Sequence, residues 1–117
     1  MSYSPGLHVL GSIHSEQQQL LSVYQGLLTF IDERLSHYEL NKLGDYYHSF
    51  DNAGFTGVVC LTESHIAFHT WPEHNYLTLD IYLSNYQKVN DEKSRALFED
   101  CCAYFKATAV ERTEVKR

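Results

Sequence analysis

Four strand-like segments follow one another in the middle of this 117-residue chain, and they limit the folds it can adopt. β-forming residues predict strands near residues 44–51, 55–62, 64–71 and 76–83. Asn52, Ala53 and Gly54 predict a turn between the first two. We expect these contiguous strands to belong to one mainly antiparallel sheet.

A helical segment precedes this run. Ser15 and Gln18 have the spacing of a capping box, which predicts a helix from there to about Tyr38. Apolar side chains recur along it at helical spacing, at Leu20, Tyr24, Leu27, Leu28, Ile31 and Leu35.

A second helix is expected near residues 91–105, which begin with two acids where the helix dipole favours them. Further strands are expected near 7–13 and 107–114. We therefore predict an α+β fold with one domain over residues 1–117, a two-layer sandwich. It would have a mainly antiparallel sheet and two helices on one face.

Composition excludes several classes of protein. The net charge is −6 without a basic cluster, which argues against a nucleic-acid partner. No apolar run approaches the ~20 residues of a membrane span, and no signal peptide is recognisable. Three unevenly spaced cysteines make no disulfide framework, which favours the reducing cytoplasm. Cys60 lies in an apolar run and is expected in the core.

Reactive side chains are concentrated in residues 62–74, TESHIAFHTWPEH, although the segment has the pattern of a strand. A metal site is one explanation. On a strand, however, His65 and His69 share a face about 13 Å apart, too far for one ion. The helical His-Glu-x-x-His pair is also absent. We therefore expect no metal site.

Glu63 and Ser64 allow a different chemistry. The Ser64 hydroxyl can reach the carbonyl carbon of the preceding peptide bond, and attack there would convert the amide into an ester. Elimination and hydrolysis would then break the chain and leave a pyruvoyl group on the new N-terminus. The pattern by itself shows only that the needed groups are close together.

The motifs around Ser64 form a recognisable set. Residues 63–66 read ESHI, 69–73 read HTWPE, 56–59 read TGVV, 48–50 read HSF and 6–8 read GLH. In sequence, spacing and extent, the chain closely resembles the prokaryotic S-adenosylmethionine decarboxylase proenzymes, and the resemblance covers nearly the whole chain.

The resemblance implies a self-processing, pyruvoyl-dependent carboxy-lyase of polyamine (spermidine) biosynthesis. Autocatalytic cleavage would divide the zymogen into residues 1–63 and 64–117, with Glu63 as a new C-terminus and Ser64 as the pyruvoyl cofactor. That carbonyl would form a Schiff base with the amine of S-adenosylmethionine and act as an electron sink. The family is oligomeric, so a homodimer is expected.

Other residues match functional positions of the family. His69 matches a processing histidine and is also a catalytic candidate, and Thr56 replaces a serine that assists processing. Phe50 matches an aromatic residue near the adenine. Glu73 would orient a substrate amine or cap a turn, and both alternatives stay open.

The chain departs from the family pattern at residues 84 and 85, where Ser84 and Asn85 replace a cysteine and a glycine. In the family, the thiol donates a proton to the substrate Cα. A thiol has a pKa of ~8.5, whereas an aliphatic hydroxyl is a far weaker acid. Three functions stay open: a decarboxylase of S-adenosylmethionine, one of another amino acid such as ornithine or arginine, and an unprocessed, non-catalytic homologue.

Overall fold

A six-stranded antiparallel sheet forms the framework of the computed structural model, which describes residues 3–85 and 88–117. In chain order the elements are β1 (Leu7–His14), α1 (Gln18–Ser22), α2 (Gln25–His37), β2 (Lys42–Ser49), β3 (Phe55–Leu61), β4 (Ser64–Trp71), a 3-10 turn (Pro72–His74), β5 (Tyr76–Leu83), α3 (Asp91–Tyr104) and β6 (Ala109–Lys116). The strand order is β2-β3-β4-β5-β1-β6, and every neighbouring pair is antiparallel. The predicted α+β fold is confirmed, and each predicted strand lies within about two residues of its observed bounds.

The first predicted helix is wrong in one respect, because it is divided into α1 and α2. Val23 is extended, with φ −126° and ψ 129°. The hydroxyl of Thr70 on β4 donates to the Leu21 carbonyl at 2.7 Å, so this oxygen has a partner outside the helix. The described residues therefore contain three α-helices where two were expected.

The predicted capping box is also wrong. The Ser15 hydroxyl donates to the Phe105 carbonyl at 2.5 Å and accepts the Gln17 N–H at 3.1 Å. The Gln18 amide donates instead to the Pro72 carbonyl at 2.8 Å. Both polar side chains thus join α1 to other parts of the fold, and α1 has no side-chain cap.

The two faces of the sheet differ in what covers them. One face carries the apolar core, which includes side chains from all three helices. On the other, which we call the open face, no described helix packs. Alternation along the strands places these side chains there: His8, Tyr46, Val58, Cys60, His65, His69, Trp71, Asp80 and Tyr82. Cys60 is exposed on this face, so its predicted place in the core was wrong.

Helix α3 packs against β1 at a glycine. A Cβ built on Gly11 would lie 2.4 Å from two ring atoms of Phe98, closer than carbon atoms can approach. The guanidinium of Arg112 on β6 lies 4.8 Å from the centre of the same ring. Gly11 therefore leaves the space that a buried aromatic side chain of α3 occupies.

None of the helices in the described ranges is long and apolar enough to cross a membrane.

We expect Gly11→Ala to lower the free energy of unfolding by about 1–3 kcal/mol, because the added methyl group overpacks the core against Phe98. Gly44→Ala is the matched control, since its Cβ would meet no heavy atom within 4 Å. Urea unfolding of both variants measures the difference. Equal stabilities would contradict this account of the contact between α3 and β1.

Candidate active site

Three of the predicted site residues meet at the end of the sheet where β4 begins. Ser64 is the first residue of β4 and pairs with Leu83. One position beyond this pair, the Ser84 N–H donates to the Glu63 carbonyl oxygen at 2.8 Å. The carbonyl that the Ser64 hydroxyl would attack therefore already accepts a hydrogen bond, which polarises it. We call Glu63, Ser64 and Ser84 the cleavage cluster.

The beginning of β1 packs tightly against this cluster. A Cβ on Gly6 would lie 2.5 Å from the Leu83 carbonyl oxygen and 3.0 Å from the Ser84 Cα. Gly6 also exchanges two backbone hydrogen bonds with Arg117, at 2.8 and 3.0 Å. The glycine of the GLH motif is thus explained by a close approach of two backbones.

An aromatic group lies on the open face beside the cleavage cluster. The rings of His8, His65 and Tyr82 have centroids 5.6–6.3 Å apart. His8 is buried, and its Nε2 has no hydrogen-bond partner among the described residues. Its Nδ1 lies 3.3 Å from an Arg117 guanidinium nitrogen, which donates to it.

Burial is the largest influence on the pKa of His8 and lowers it from its ordinary value. The carboxylate of Asp80 opposes this effect, while Arg117 and His65 add to it. The site thus favours a neutral imidazole at residue 8. Sequence reasoning did not bring His8 together with Tyr82, because their pairing depends on β1 lying beside β5.

The predicted processing residues meet at the other end of β4. Thr56 and His69 face each other across β3 and β4, and the Thr56 hydroxyl oxygen lies 2.6 Å from the His69 Nδ1. The same hydroxyl lies within hydrogen-bonding distance of the Phe68 carbonyl, at 3.2 Å. These contacts fix the orientation of an imidazole that is otherwise exposed to solvent.

A cleft of about 270 Å³ lies beside His69. It brings together Phe50 and Glu73, the two predicted substrate-binding residues, with Trp71. Asn52, Ala53, Phe55 and Thr70 complete the lining. The Phe50 side chain is 48% exposed, which leaves an aromatic surface available to a ligand. We call Thr56, His69, Phe50 and Glu73 the His69 cluster.

The two clusters do not meet within one chain. Ser64 and His69 are five positions apart on one strand, which separates them by about 17 Å at ~3.3 Å per residue. A side chain of ordinary length cannot cover that distance. The structure therefore divides the predicted site residues into two halves at opposite ends of β4.

Among residues 3–85 and 88–117, no group of three or more His, Cys, Asp or Glu side chains is placed to hold a metal ion.

Comparison with known proteins assigns the chain to a family. The model of the S-adenosylmethionine decarboxylase family matches residues 7–117. The chain belongs to the S-adenosylmethionine decarboxylase family. The predicted family and its enzyme class, the pyruvoyl-dependent carboxy-lyases, are thereby confirmed.

Individual family members agree with this assignment. The S-adenosylmethionine decarboxylase proenzyme of Thermoplasma volcanium is 32% identical over 117 residues, which cover 100% of this chain and 87% of that one. The proenzyme of Thermoplasma acidophilum is 32% identical over 92 residues, 79% of this chain and 70% of that one. The crystal structure of the adenosylmethionine decarboxylase from Aquifex aeolicus matches with a TM-score of 0.87 and 24% identity, over 99% of this chain and 92% of that chain. This last match supports the fold.

Proposed function

We propose that this family member is a proenzyme that cuts itself between Glu63 and Ser64 and then decarboxylates S-adenosylmethionine as one domain of 117 residues. The observation that carries the proposal is the 2.8 Å hydrogen bond from the Ser84 N–H to the Glu63 carbonyl. The acceptor is the carbonyl of the peptide bond between Glu63 and Ser64, which is the bond that the Ser64 hydroxyl would attack. The similar proenzymes described above support the same activity.

The first chemical step rearranges the bond between Glu63 and Ser64. The Ser64 oxygen bonds to the Glu63 carbonyl carbon and loses its proton, and negative charge develops on the carbonyl oxygen beside the Ser84 N–H. The carbon–nitrogen bond then breaks as the nitrogen takes up a proton. The two halves of the chain are now joined by an ester.

The second step separates the halves. A base removes the Cα proton of Ser64, and the ester carbon–oxygen bond on the Ser64 side breaks, which releases residues 1–63 with a carboxylate at Glu63. The resulting dehydroalanine takes up water and loses ammonia, which leaves the pyruvoyl group at residue 64. Residues 64–117 form the other fragment.

His69 is the base that the family resemblance suggests, yet it lies about 17 Å from Ser64 of its own chain. A second copy resolves this separation. If two copies stack their open faces about a two-fold axis, each cleavage cluster meets the His69 cluster of the other copy, and two complete sites form. Exposed apolar side chains on the open face support such burial, with Tyr46 69%, Val58 40% and Trp71 39% exposed.

The residues of the chain fit the pyruvoyl group and its substrate. The group would sit at residue 64, where it supplies the electron sink that decarboxylation requires. The Phe50 ring offers a flat face to an adenine or a sulfonium cation, and the Glu73 carboxylate accepts hydrogen bonds from hydroxyl or amino groups. The three cysteines are unpaired, which is in keeping with a cytoplasmic enzyme.

The purified chain is expected to convert from one 13.6 kDa species into two fragments that end at Glu63 and begin at residue 64. Ser64→Ala should stay whole, because it lacks the attacking hydroxyl. Intact-mass spectrometry over time measures both. Wild-type protein that remains a single uncleaved species in fresh and aged samples would overturn the proposed function.

Mixing two inactive variants tests the shared site. His69→Ala lacks the base and Ser64→Ala lacks the nucleophile, so each alone should remain uncleaved. When the two are co-expressed, a mixed dimer contains one site with both groups. We expect the His69→Ala chain to be cleaved there, while the Ser64→Ala chain stays whole.

Mass spectrometry distinguishes the two chains of this mixture. Absence of cleavage in the mixture, confirmed to contain mixed dimers, would show that the two halves of the site do not come from different copies. Rapid cleavage of His69→Ala alone would remove His69 from the processing step.

Ser84→Cys should accelerate decarboxylation, because a thiol is a much better general acid than a hydroxyl near neutral pH. Well-placed general acids contribute about 10²–10⁴ in rate, and we expect at least a tenfold gain. Release of labelled carbon dioxide per cleaved chain measures it. Cys60→Ala is the control, and it should leave the rate unchanged. Equal rates for wild type and Ser84→Cys would show that residue 84 is not the proton donor.

A further inference from the structure

The Ser84 N–H lies where the regular ladder between β4 and β5 ends. The last residue pair of this ladder is Ser64 with Leu83. No further strand pairing fixes the Ser84 N–H. Its position therefore depends on the contacts that Ser84 and the residues after it make with the rest of the fold. A donor aimed at developing charge is effective only when its position is fixed beforehand.

Asn85 provides this support through its side chain. It is only 6% exposed, and its amide nitrogen donates to the Pro5 carbonyl and to the Asp91 carboxylate, both at 2.8 Å. Its amide oxygen accepts the Asn90 N–H at 2.7 Å. Both hydrogen atoms of the amide and one acceptor site are thus used by two parts of the chain, Pro5 and the adjacent residues Asn90 and Asp91.

Asn90 completes the connection to Ser84. Its side-chain amide donates to the Ser84 carbonyl at 2.8 Å. Both backbone polar groups of Ser84 therefore have a partner, the N–H at Glu63 and the C=O at Asn90. We call Asn85 and Asn90 the asparagine pair.

The contacts of Asn85 are themselves held in place. Asp91 also accepts a hydrogen bond from Lys116 on β6. Burial raises the pKa of Asp91, but the hydrogen bonds from Lys116 and Asn85 outweigh it and hold that pKa below its ordinary value. On the other side, Pro5 precedes Gly6, which packs against the Leu83 and Ser84 backbone.

We propose that Asn85 is a positioning residue for self-cleavage, which holds the Ser84 N–H against the Glu63 carbonyl while the acyl group moves to Ser64. This role rests on the proposed function. No bond to Asn85 forms or breaks, so it acts only through the Ser84 peptide group.

The test compares the rates of self-cleavage of Asn85→Ala, Asn90→Ala and the wild type by intact mass. Asn85→Ala loses all three side-chain contacts and should slow cleavage about tenfold or more, as expected when an oxyanion donor is misplaced. Asn90→Ala loses the contact with the Ser84 carbonyl but keeps its N–H bond to Asn85, so we expect a smaller slowing. This second variant keeps the test decisive if Asn85→Ala does not fold.

Ser15→Ala is the matched control for a merely structural effect. Ser15 is fully buried and its hydroxyl makes two hydrogen bonds. It follows the last residue of β1, however, whereas the cleavage cluster lies beside the first residues of β1. Each protein is assayed at the same interval below its own melting temperature. Ser15→Ala should then cleave at the wild-type rate.

Hydroxylamine cleaves esters, so the amount of hydroxylamine-sensitive protein measures the ester intermediate. A change in folding stability alone would not alter this amount. In Asn85→Ala, less hydroxylamine-sensitive protein should accumulate than in the wild type, because the acyl shift itself is slowed. If both asparagine variants cleave at the wild-type rate, or slow no more than Ser15→Ala, Asn85 is not a positioning residue and the proposed function stands. If the wild type itself does not cleave, both proposals fall.

Discussion

The register between β4 and β5 is the constraint on which the cleavage cluster depends. It pairs Ser64 with Leu83 and so brings the Ser84 N–H to the Glu63 carbonyl. A slip of one residue would turn every side chain of β4 to the opposite face and remove this contact. The core prevents such a slip, because Ile66 and Phe68 are fully buried on the helix-covered face. The packing of apolar side chains thus determines which carbonyl oxygen accepts the Ser84 N–H.

The alternation of side chains along β4 places its reactive groups on the open face. His65 and His69 of β4 point there, while the intervening Ile66 and Phe68 point into the core. A strand with one polar face and one apolar face can carry reactive groups near both of its ends without disturbing the core. Its length then keeps the groups apart, and this separation favours a site completed by a second copy.

Much of the fold could be predicted because its signals are local. The strands follow from β-forming residues and short turns, and the start of α3 from Asp91 and Glu92. The break between α1 and α2 could not be predicted, since the Leu21 carbonyl is bound by Thr70, 49 positions further along the chain. Ser15 failed as a cap for the same reason, because its hydroxyl is bonded to Phe105.

The candidate site residues were chosen from motifs, and motifs do not give their full arrangement. Motifs singled out Ser64, His69 and Ser84, and the strand predicted over residues 64–71 already separates Ser64 from His69. Nothing in the sequence, however, states that Ser64 and Ser84 adjoin. The asparagine pair was missed as well. Asn85 was visible only as a departure from a glycine. Its contacts with Asn90 and Asp91 are local, but its contact with Pro5 joins residues 80 positions apart, which the fold alone brings together.

The strand order has a consequence for a chain cut before β4. Residues 1–63 contribute β1, β2 and β3, and residues 64–117 contribute β4, β5 and β6. Of the five strand interfaces, three would join one fragment to the other: β1 with β5, β1 with β6, and β3 with β4. β1 of the first fragment would lie between β5 and β6 of the second fragment and would be hydrogen-bonded to both. The cut would create two new chain ends, at Glu63 and at residue 64, while the sheet held both fragments together, so local mobility at residue 64 would be gained without dissociation.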